Sequence, residues 1–247
     1  MELAAKVARF GNQILSLIAF LLILLMLSYG GYSLWDSYMI NQGAFLNSDL
    51  LKYKPVDTGN PEEESFTLNE LLLINEDTRG WITIDDTRID YPVVQGETDM
   101  EYINTDVFGE FALSGSIFLS CLNKPDFTDS YNLIYGHHMD NGGMFGDVIE
   151  FTDETYFENH QTGTLYLTDR TYGISLFACM EVDAYDRLIY APGEECSMQE
   201  LLNYLKQTAT HYRDIGVTIN DQIVGLSTCV DAQTNGRVVV FGRLDPK

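Results

Sequence analysis

Positive charge is scarce in this chain. It has 14 Lys and Arg against 37 Asp and Glu, a formal charge of -23 over 247 residues. Such a field repels nucleic acid and anionic lipid, and nucleic acid is not expected as a partner. The sequence has no G-x-x-x-x-G-K-[ST] and no G-x-G-x-x-G, so no phosphate-cradling loop is implied. Its four cysteines, Cys121, Cys179, Cys196 and Cys229, contain no C-x-x-C, which argues against a zinc site. No other metal or cofactor site is evident, because the acids are abundant but unclustered. There is no internal repeat and no low-complexity tract.

One further absence is local. Gly11 to Trp35 carries no charged side chain and contains the apolar run Ile14 to Leu27. In lipid the backbone must bond to itself, so the run predicts a membrane helix of about 20 to 25 residues. Lys6 and Arg9 precede it, which keeps the N-terminus cytoplasmic and exports the chain beyond Trp35. Tyr29, Tyr32, Trp35 and Tyr38 would form an aromatic belt at the outer interface. A cleaved signal peptide would end near Ser28-Tyr29-Gly30. The uncharged, aromatic-rich continuation favours an uncleaved anchor, and both readings export the domain. Of the charged residues only Glu2, Lys6 and Arg9 precede Asp36, so the exported part holds 36 acids and 12 bases. That acidity would attract amines, but a solvated surface kept soluble by its charge is the favoured explanation.

The expected organisation is a cytoplasmic N-terminus (1–10), a transmembrane anchor (11–35), a juxtamembrane helix and linker (36–66) and a catalytic domain (67–247). Val56 to Ser65 is acidic and broken by Gly and Pro, as a linker or loop would be. Thr67-Leu-Asn-Glu70 reads as a capping box that starts a short helix. Strand signals come next, at Trp81–Ile84, Ile89–Val94, Ser116–Leu119, Tyr131–Tyr135, Thr164–Leu167, Gly173–Val182, Gln222–Leu226 and Arg237–Phe241. Ser197-Met-Gln-Glu200 is a second capping box, with Leu201, Leu202 and Leu205 on one helical face up to about Tyr212. Another short helix fits Met144 to Phe151. Many short strands without βαβ alternation imply a mainly β closed barrel or sandwich.

Two segments carry chemistry. Tyr135-Gly-His-His-Met-Asp-Asn-Gly-Gly-Met-Phe145 comes after an apolar strand and places His137 and His138 at a strand end or on a loop. Val224-Gly-Leu-Ser-Thr-Cys229 is an apolar strand that ends on a cysteine. A polar turn comes next, and a new strand begins at Arg237. Strand ends joined by a short connection are antiparallel neighbours, so Cys229 and Arg237 face each other. A thiolate beside an arginine and within reach of an imidazole is a usable nucleophile. Arginine cannot deprotonate, so it suits an oxyanion; histidine suits proton delivery to a departing amine. Taken singly these residues have ordinary explanations: a buried thiol, a surface His pair, a strand-edge charge. His160 and His211 have no such context and read as surface residues. With four exported cysteines two disulfides are possible; a reduced Cys229 leaves three thiols, and spacing chooses no pair.

Together, Leu226-Ser-Thr-Cys229, Arg237 and Tyr135-Gly-His137 resemble the sortase family, in the layout of its class B members. Arg79-Gly-Trp-Ile-Thr-Ile84, Ile89 to Gly96 and Gly115 to Leu119 extend the resemblance over roughly Leu71 to Leu244. It implies a closed eight-stranded sortase-type β-barrel with peripheral helices, preceded by the N-terminal transmembrane helix, on a Gram-positive-type cell surface. It implies a cysteine transpeptidase whose Cys229 attacks an LPxTG-like sorting signal of a secreted protein and forms a thioacyl intermediate. It selects His137 over His138 as the proton donor and gives Arg237 the oxyanion. Ser227 and Thr228 would line the substrate groove, and Asp231 would orient the histidine or line the same groove. The stretch from Val182 to Gly216 would cover the sorting signal. The acceptor amine would come from cell-wall peptidoglycan or from a pilin lysine.

The eight-residue Cys229-to-Arg237 spacing is shorter than in some class B members. An Asp-Pro-aromatic lid and a second, C-terminal membrane segment, features of pilus-building class C enzymes, do not appear. That favours an open groove and wall anchoring. Pilin polymerisation is the alternative, and a sortase-like binding protein without catalysis is a third reading, against which the intact three residues argue.

Overall fold

The computed structural model describes residues 2–42, 48–56, 61–193, 196–229 and 234–247. The chain divides into two units, Met1–Gln42 and Gly43–Lys247. The first is a single helix, α1 (Glu2–Gln42). At 1.5 Å per residue it is about 60 Å long, more than a bilayer core needs. Its stretch Ala5–Tyr38 is long and apolar enough to cross a membrane. Leu15, Leu22, Met26 and Leu34 on it are exposed, as lipid-facing side chains would be. The helix continues past the expected 11–35 span at both ends, because nothing in its sequence breaks it.

The second unit begins with two helices, α2 (Ser48–Leu51) and α3 (Pro61–Ile74). α3 starts six residues before the expected capping box. Pro61 suits a first helical position, where its missing N–H costs nothing. Thr67 therefore lies inside the helix, and its buried Oγ1 has no hydrogen-bond partner among the described residues.

All eight expected strands form. They are β1 (Thr78–Ile84), β2 (Asp90–Val94), β3 (Ile117–Leu119), β4 (Tyr131–Tyr135), β5 (Thr162–Tyr166) and β6 (Thr171–Asp183), with β7 (His211–Tyr212) added, then β8 (Gln222–Cys229) and β9 (Gly236–Pro246). The sheet order is β5-β1-β2-β3-β4-β8-β9-β6, and pairing of β6 with β5 closes it into an eight-stranded barrel. The two-residue β7 pairs with β6 at Ala178 and Cys179, past the end of the β5 pairing. Two pairings are parallel, β2–β3 and β4–β8; the rest are antiparallel.

Helices cover the barrel. A 3-10 helix (Gly146–Thr152) leads into α4 (Glu154–Asn159), and α5 (Arg187–Tyr190) and α6 (Met198–Thr208) lie in the β6–β7 connection. The second capping box holds: the Glu200 amide donates to Ser197 Oγ at 3.4 Å. α6 stops four residues early because His211 and Tyr212 pair with β6 instead.

Strand alternation explains the core. Tyr131, Leu133, Phe177, Ile223, Val239 and Phe241 pack with Met198, Leu201 and Leu205 of α6. The alternate residues Ile134, Val224, Leu226, Val238 and Val240 are also fully buried, on the opposite face. Burial on both faces is why these strands read as continuous apolar runs. A second cluster joins Leu68 and Leu71 of α3 to Trp81, Val94, Tyr102, Phe118 and Tyr166. Tyr53 belongs to it, so packing of this unit extends upstream of residue 67. The Trp81 indole is satisfied at 2.7 Å by Asp90, whose carboxylate also pairs with Lys54.

Candidate active site

The register of three adjacent strands builds the site. β4 and β8 run parallel, with Tyr131 beside Ile223 and Tyr135 beside Ser227. The match continues past the end of β4: the Gly136 amide donates to the Ser227 carbonyl at 3.1 Å, and Thr228 Oγ1 donates to the Gly136 carbonyl at 2.9 Å. One residue further on each strand stand His137 and Cys229. On the other side, β8 and β9 are antiparallel, and Cys229 is the cross-strand partner of Arg237. Backbone pairing thus gathers His137, Cys229 and Arg237 at neighbouring strand ends, although His137 and Cys229 are 92 residues apart.

His137 is held through both its ring and its backbone. Its carbonyl accepts from the Phe145 amide at 3.0 Å. Its Nε2 lies 2.7 Å from the Ile103 carbonyl. A carbonyl only accepts, so Nε2 carries the proton and Nδ1 is the nitrogen that exchanges one. Gly136 is required here by space. A Cβ on it would lie 2.4 Å from Ile117 Cδ1 and 2.6 Å from the Phe145 ring.

His138 is placed differently. Its Nε2 lies 3.3 Å from Asp140 Oδ1, and its buried Nδ1 has no partner among the described residues. It does not line the cleft that His137 lines. Arg237 is half-buried, and its Nη1 donates to the carbonyls of Thr234 (3.1 Å) and Gly236 (2.9 Å), which fixes the guanidinium at the start of β9.

His137 and Arg237 line a cleft of about 310 Å³. Its polar members are Asp99, His137, Ser227, Thr228 and Arg237; Met100, Ile103, Phe118, Tyr135 and Tyr190 make it largely apolar. Tyr135 stacks on Tyr190 with ring centroids 6.3 Å apart and tilts against Phe118 at 5.3 Å. Burial, with the Asp99 charge behind it, pushes the Tyr135 hydroxyl well above its ordinary range, so it stays neutral. Ser227 and Thr228 both line the cleft, yet both are 2% exposed. Ser227 Oγ lies 3.0 Å from the Tyr190 hydroxyl, and Thr228 Oγ1 is committed to Gly136, so each also braces the wall. Asp231 lies outside the described residues.

Sequence reasoning missed Asp99, Met100, Ile103 and Phe118. The first three come from an irregular segment before β3 that has no periodicity to mark it. Tyr190 and Ala184 do come from the Val182–Gly216 stretch expected to cover the substrate. His160 and His211 are half-buried braces rather than surface residues. His160 Nδ1 donates to the Tyr156 carbonyl at 2.8 Å and stacks on that ring at 3.8 Å. His211 Nε2 donates to the Thr152 carbonyl at 2.7 Å and stacks on Phe157.

The other thiols are unsuited to attack. Cys179 is pushed up to about 12 by burial and by Glu181, and Cys196 to about 11 by burial and by Glu200. Cys121 is raised by burial and then by the adjacent Asp99. All three are free, so each is held as the protonated thiol at neutral pH. Among the described residues no group of three or more His, Cys, Asp or Glu side chains could hold a metal ion.

The barrel thus brings the strand positions of His137, Cys229 and Arg237 together, with His137 and Arg237 lining the cleft. No family model matches the sequence. The chain is 34% identical over 185 residues to sortase B of Listeria monocytogenes, covering 73% of this chain and 74% of that one. It is 28% identical over 241 residues to sortase B of Staphylococcus aureus, covering 94% and 97%. It superposes with a TM-score of 0.67 on Spy0129, a Streptococcus pyogenes class B sortase involved in pilus biogenesis, at 42% identity, covering 73% of this chain and 98% of that one. The chain belongs to the sortase family and is most like its class B members.

Proposed function

We propose that Cys229, His137 and Arg237 carry out a two-step acyl transfer on secreted proteins that bear an LPxTG-like sorting signal. The observation behind this reading is the double register: Cys229 beside Arg237 in β9, and His137 one step beyond the bonded β4–β8 ladder. In the first step the Cys229 thiolate attacks the carbonyl after the signal's threonine. A C–S bond forms, and Arg237 compensates the charge that moves onto the oxygen. The intermediate collapses as the C–N bond breaks, and protonated His137 gives its proton to the departing amine. In the second step an acceptor amine attacks the thioester and passes a proton to His137. The C–S bond breaks and the thiolate is restored. Ser227, Thr228 and Asp231 would serve the groove rather than the chemistry.

The expected acceptor is a cell-wall peptidoglycan amine, which attaches the protein to the wall. The 42% identity to a sortase involved in pilus biogenesis, against 28% to the staphylococcal sortase B, favours a second reading. In that reading the acceptor is a pilin lysine and the product an isopeptide-linked polymer. The layout would be a cytoplasmic 1–10, a membrane anchor at 11–35, a connection at 36–66 and an extracellular catalytic domain at 67–247, with Tyr53 and α3 bracing the domain.

The test is to incubate the soluble domain, starting before α2, with a panel of sorting-signal peptides and an amine. Mass spectrometry should find a thioacyl adduct on Cys229 and none in Cys229→Ala. Full turnover in Cys229→Ala would falsify the reading. Supplying a cross-bridge peptide and a pilin together distinguishes the acceptors by which amine appears in the product.

A further inference from the structure

Ile103 serves the cleft in two ways. It lines the cleft, and its carbonyl lies 2.7 Å from His137 Nε2. A neutral imidazole carries its proton on either nitrogen, and the bond made by one nitrogen decides which. The Ile103 carbonyl keeps the proton on Nε2 and leaves Nδ1 to exchange one. Yet Ile103 lies between β2 and β3, outside the barrel strands, so no ladder holds that carbonyl in place.

Neighbouring residues supply the hold. Tyr102 is buried and packs with Leu68 and Leu71 of α3. Its hydroxyl donates to Asp77 Oδ2 at 2.8 Å and accepts from Asn75 Nδ2 at 3.0 Å. Burial pushes that hydroxyl up to about 12, so it keeps the proton it donates. Asn75 directly follows α3, and its amide donates to the Leu71 carbonyl at 2.9 Å. The Tyr102 carbonyl accepts from the Ser116 amide at 3.0 Å, and Ser116 Oγ donates to the Thr105 carbonyl at 2.8 Å. The chain is thus tied on both sides of Ile103. Gly115 presses on the same point. Its φ is +59°, and a Cβ on it would lie 2.2 Å from the Ile103 oxygen and 2.6 Å from the Tyr102 oxygen. Neither Asn75, Tyr102 nor Gly115 lines the cleft.

We propose that Tyr102, held by Asn75 and Asp77, and Gly115 are positioning residues for His137. They fix the Ile103 carbonyl, which keeps the ring in its Nε2–H form with Nδ1 available for proton exchange. This rests on the acyl-transfer reading of His137. It gives the C-terminal end of α3 a part in catalysis although that end does not reach the cleft.

The experiment uses the full chain in detergent with 15N-labelled histidine. The 4 imidazoles belong to His137, His138, His160 and His211, and a His137→Gln variant assigns the first. In alkaline buffer, where imidazoles are neutral, native His137 should show the Nε2–H pattern. Tyr102→Phe keeps the ring in its apolar cluster and removes both hydroxyl bonds. It should move His137 towards a mixture of tautomers. It should also lower kcat for Cys229 acylation about fivefold to tenfold and leave KM within about twofold. His160 and His211, bonded to the Tyr156 and Thr152 carbonyls, should keep their native signals. Gly115→Ala should act in the same direction with a kcat loss of about 10²-fold. If it does not fold, Tyr102→Phe decides alone. A merely structural role lowers the melting temperature of Tyr102→Phe but leaves kcat and the tautomer pattern native. That result, or a changed tautomer with unchanged kcat, overturns the inference and leaves the transpeptidase reading intact. Failure of every peptide to acylate native Cys229 defeats the transpeptidase reading, while the tautomer signal still tests the hold on His137.

Discussion

The cleft has two kinds of wall. One is the ladder of β4, β8 and β9, whose backbone groups are paired up to the last residue before the reacting end. The other consists of the Asp99–Ile103 segment and the Ala184–Tyr190 stretch, which contribute side chains without joining the sheet. The ladder fixes His137, Cys229 and Arg237 relative to one another because a register cannot slip without turning every buried side chain outward. The loop wall can change its residues at little cost to the barrel. In the proposed function the chemistry sits on the rigid wall, and the loop wall is free to vary with the substrate.

The sharpest way to break this comparison is to alter the ladder's reacting end. Cys229→Ala should abolish thioacyl formation, and Arg237→Ala should lower kcat by about 10²–10³-fold, read by adduct mass and steady-state kinetics. A mild effect of Arg237→Ala would move the oxyanion site elsewhere. Next, Gly136→Ala tests the ladder indirectly, since its Cβ must displace Ile117 or Phe145. It should cost about 1–3 kcal/mol in stability and lower kcat more than it raises KM, because His137 shifts with the backbone. An unchanged kcat would show that the position of His137 tolerates movement.

Leu205→Ala in α6 should destabilise by about 2–5 kcal/mol in denaturant melts, with kcat/KM close to native below the transition. A large kcat loss there would tie the helix layer to the chemistry. On the loop wall, Tyr190→Phe removes a partner of Ser227 and should raise KM a few-fold at constant kcat.

The smallest effect is on alkaline stability. Burial raises Cys179 to about 12, and Tyr91 is also raised to about 12, mainly by burial. The folded state therefore keeps these protons when the unfolded chain has lost them. Their contribution is full below pH about 9 and fades as pH rises towards 12. Melting temperatures measured from pH 8 to 11 should fall, and less steeply in Cys179→Val. Cys121, Cys179 and Cys196, all raised, should resist iodoacetamide at pH 7, so that Cys229→Ala removes the fast-labelling site.

Much of the fold was legible in the chain. The eight strands announced themselves because burial on both faces gave short runs rich in β-branched and aromatic residues. Ser197 capped its helix through a local hydrogen bond. Helix ends were harder: α3 runs back to Pro61 through acidic residues with no apolar period, and α6 yields to β7 where pairing with β6 wins. His160 read as a surface residue because its partner Tyr156 lies one turn back in a helix too short to show a period, and His211 because its partner Thr152 is 59 residues away.

Local sequence was enough for the long apolar helix, since an uncharged run of that length has few other stable settings. It was also enough for the pairing of Cys229 with Arg237, since eight residues leave two strand ends little choice but to meet. That β4 lies parallel to β8, and so carries His137 to Cys229, had to come from the assembled barrel. Apolar strands are interchangeable in pattern, and a parallel partner is set by the closure of the whole barrel. Asp99 and Tyr190 reached the cleft in the same way, on segments placed by the space the barrel leaves open.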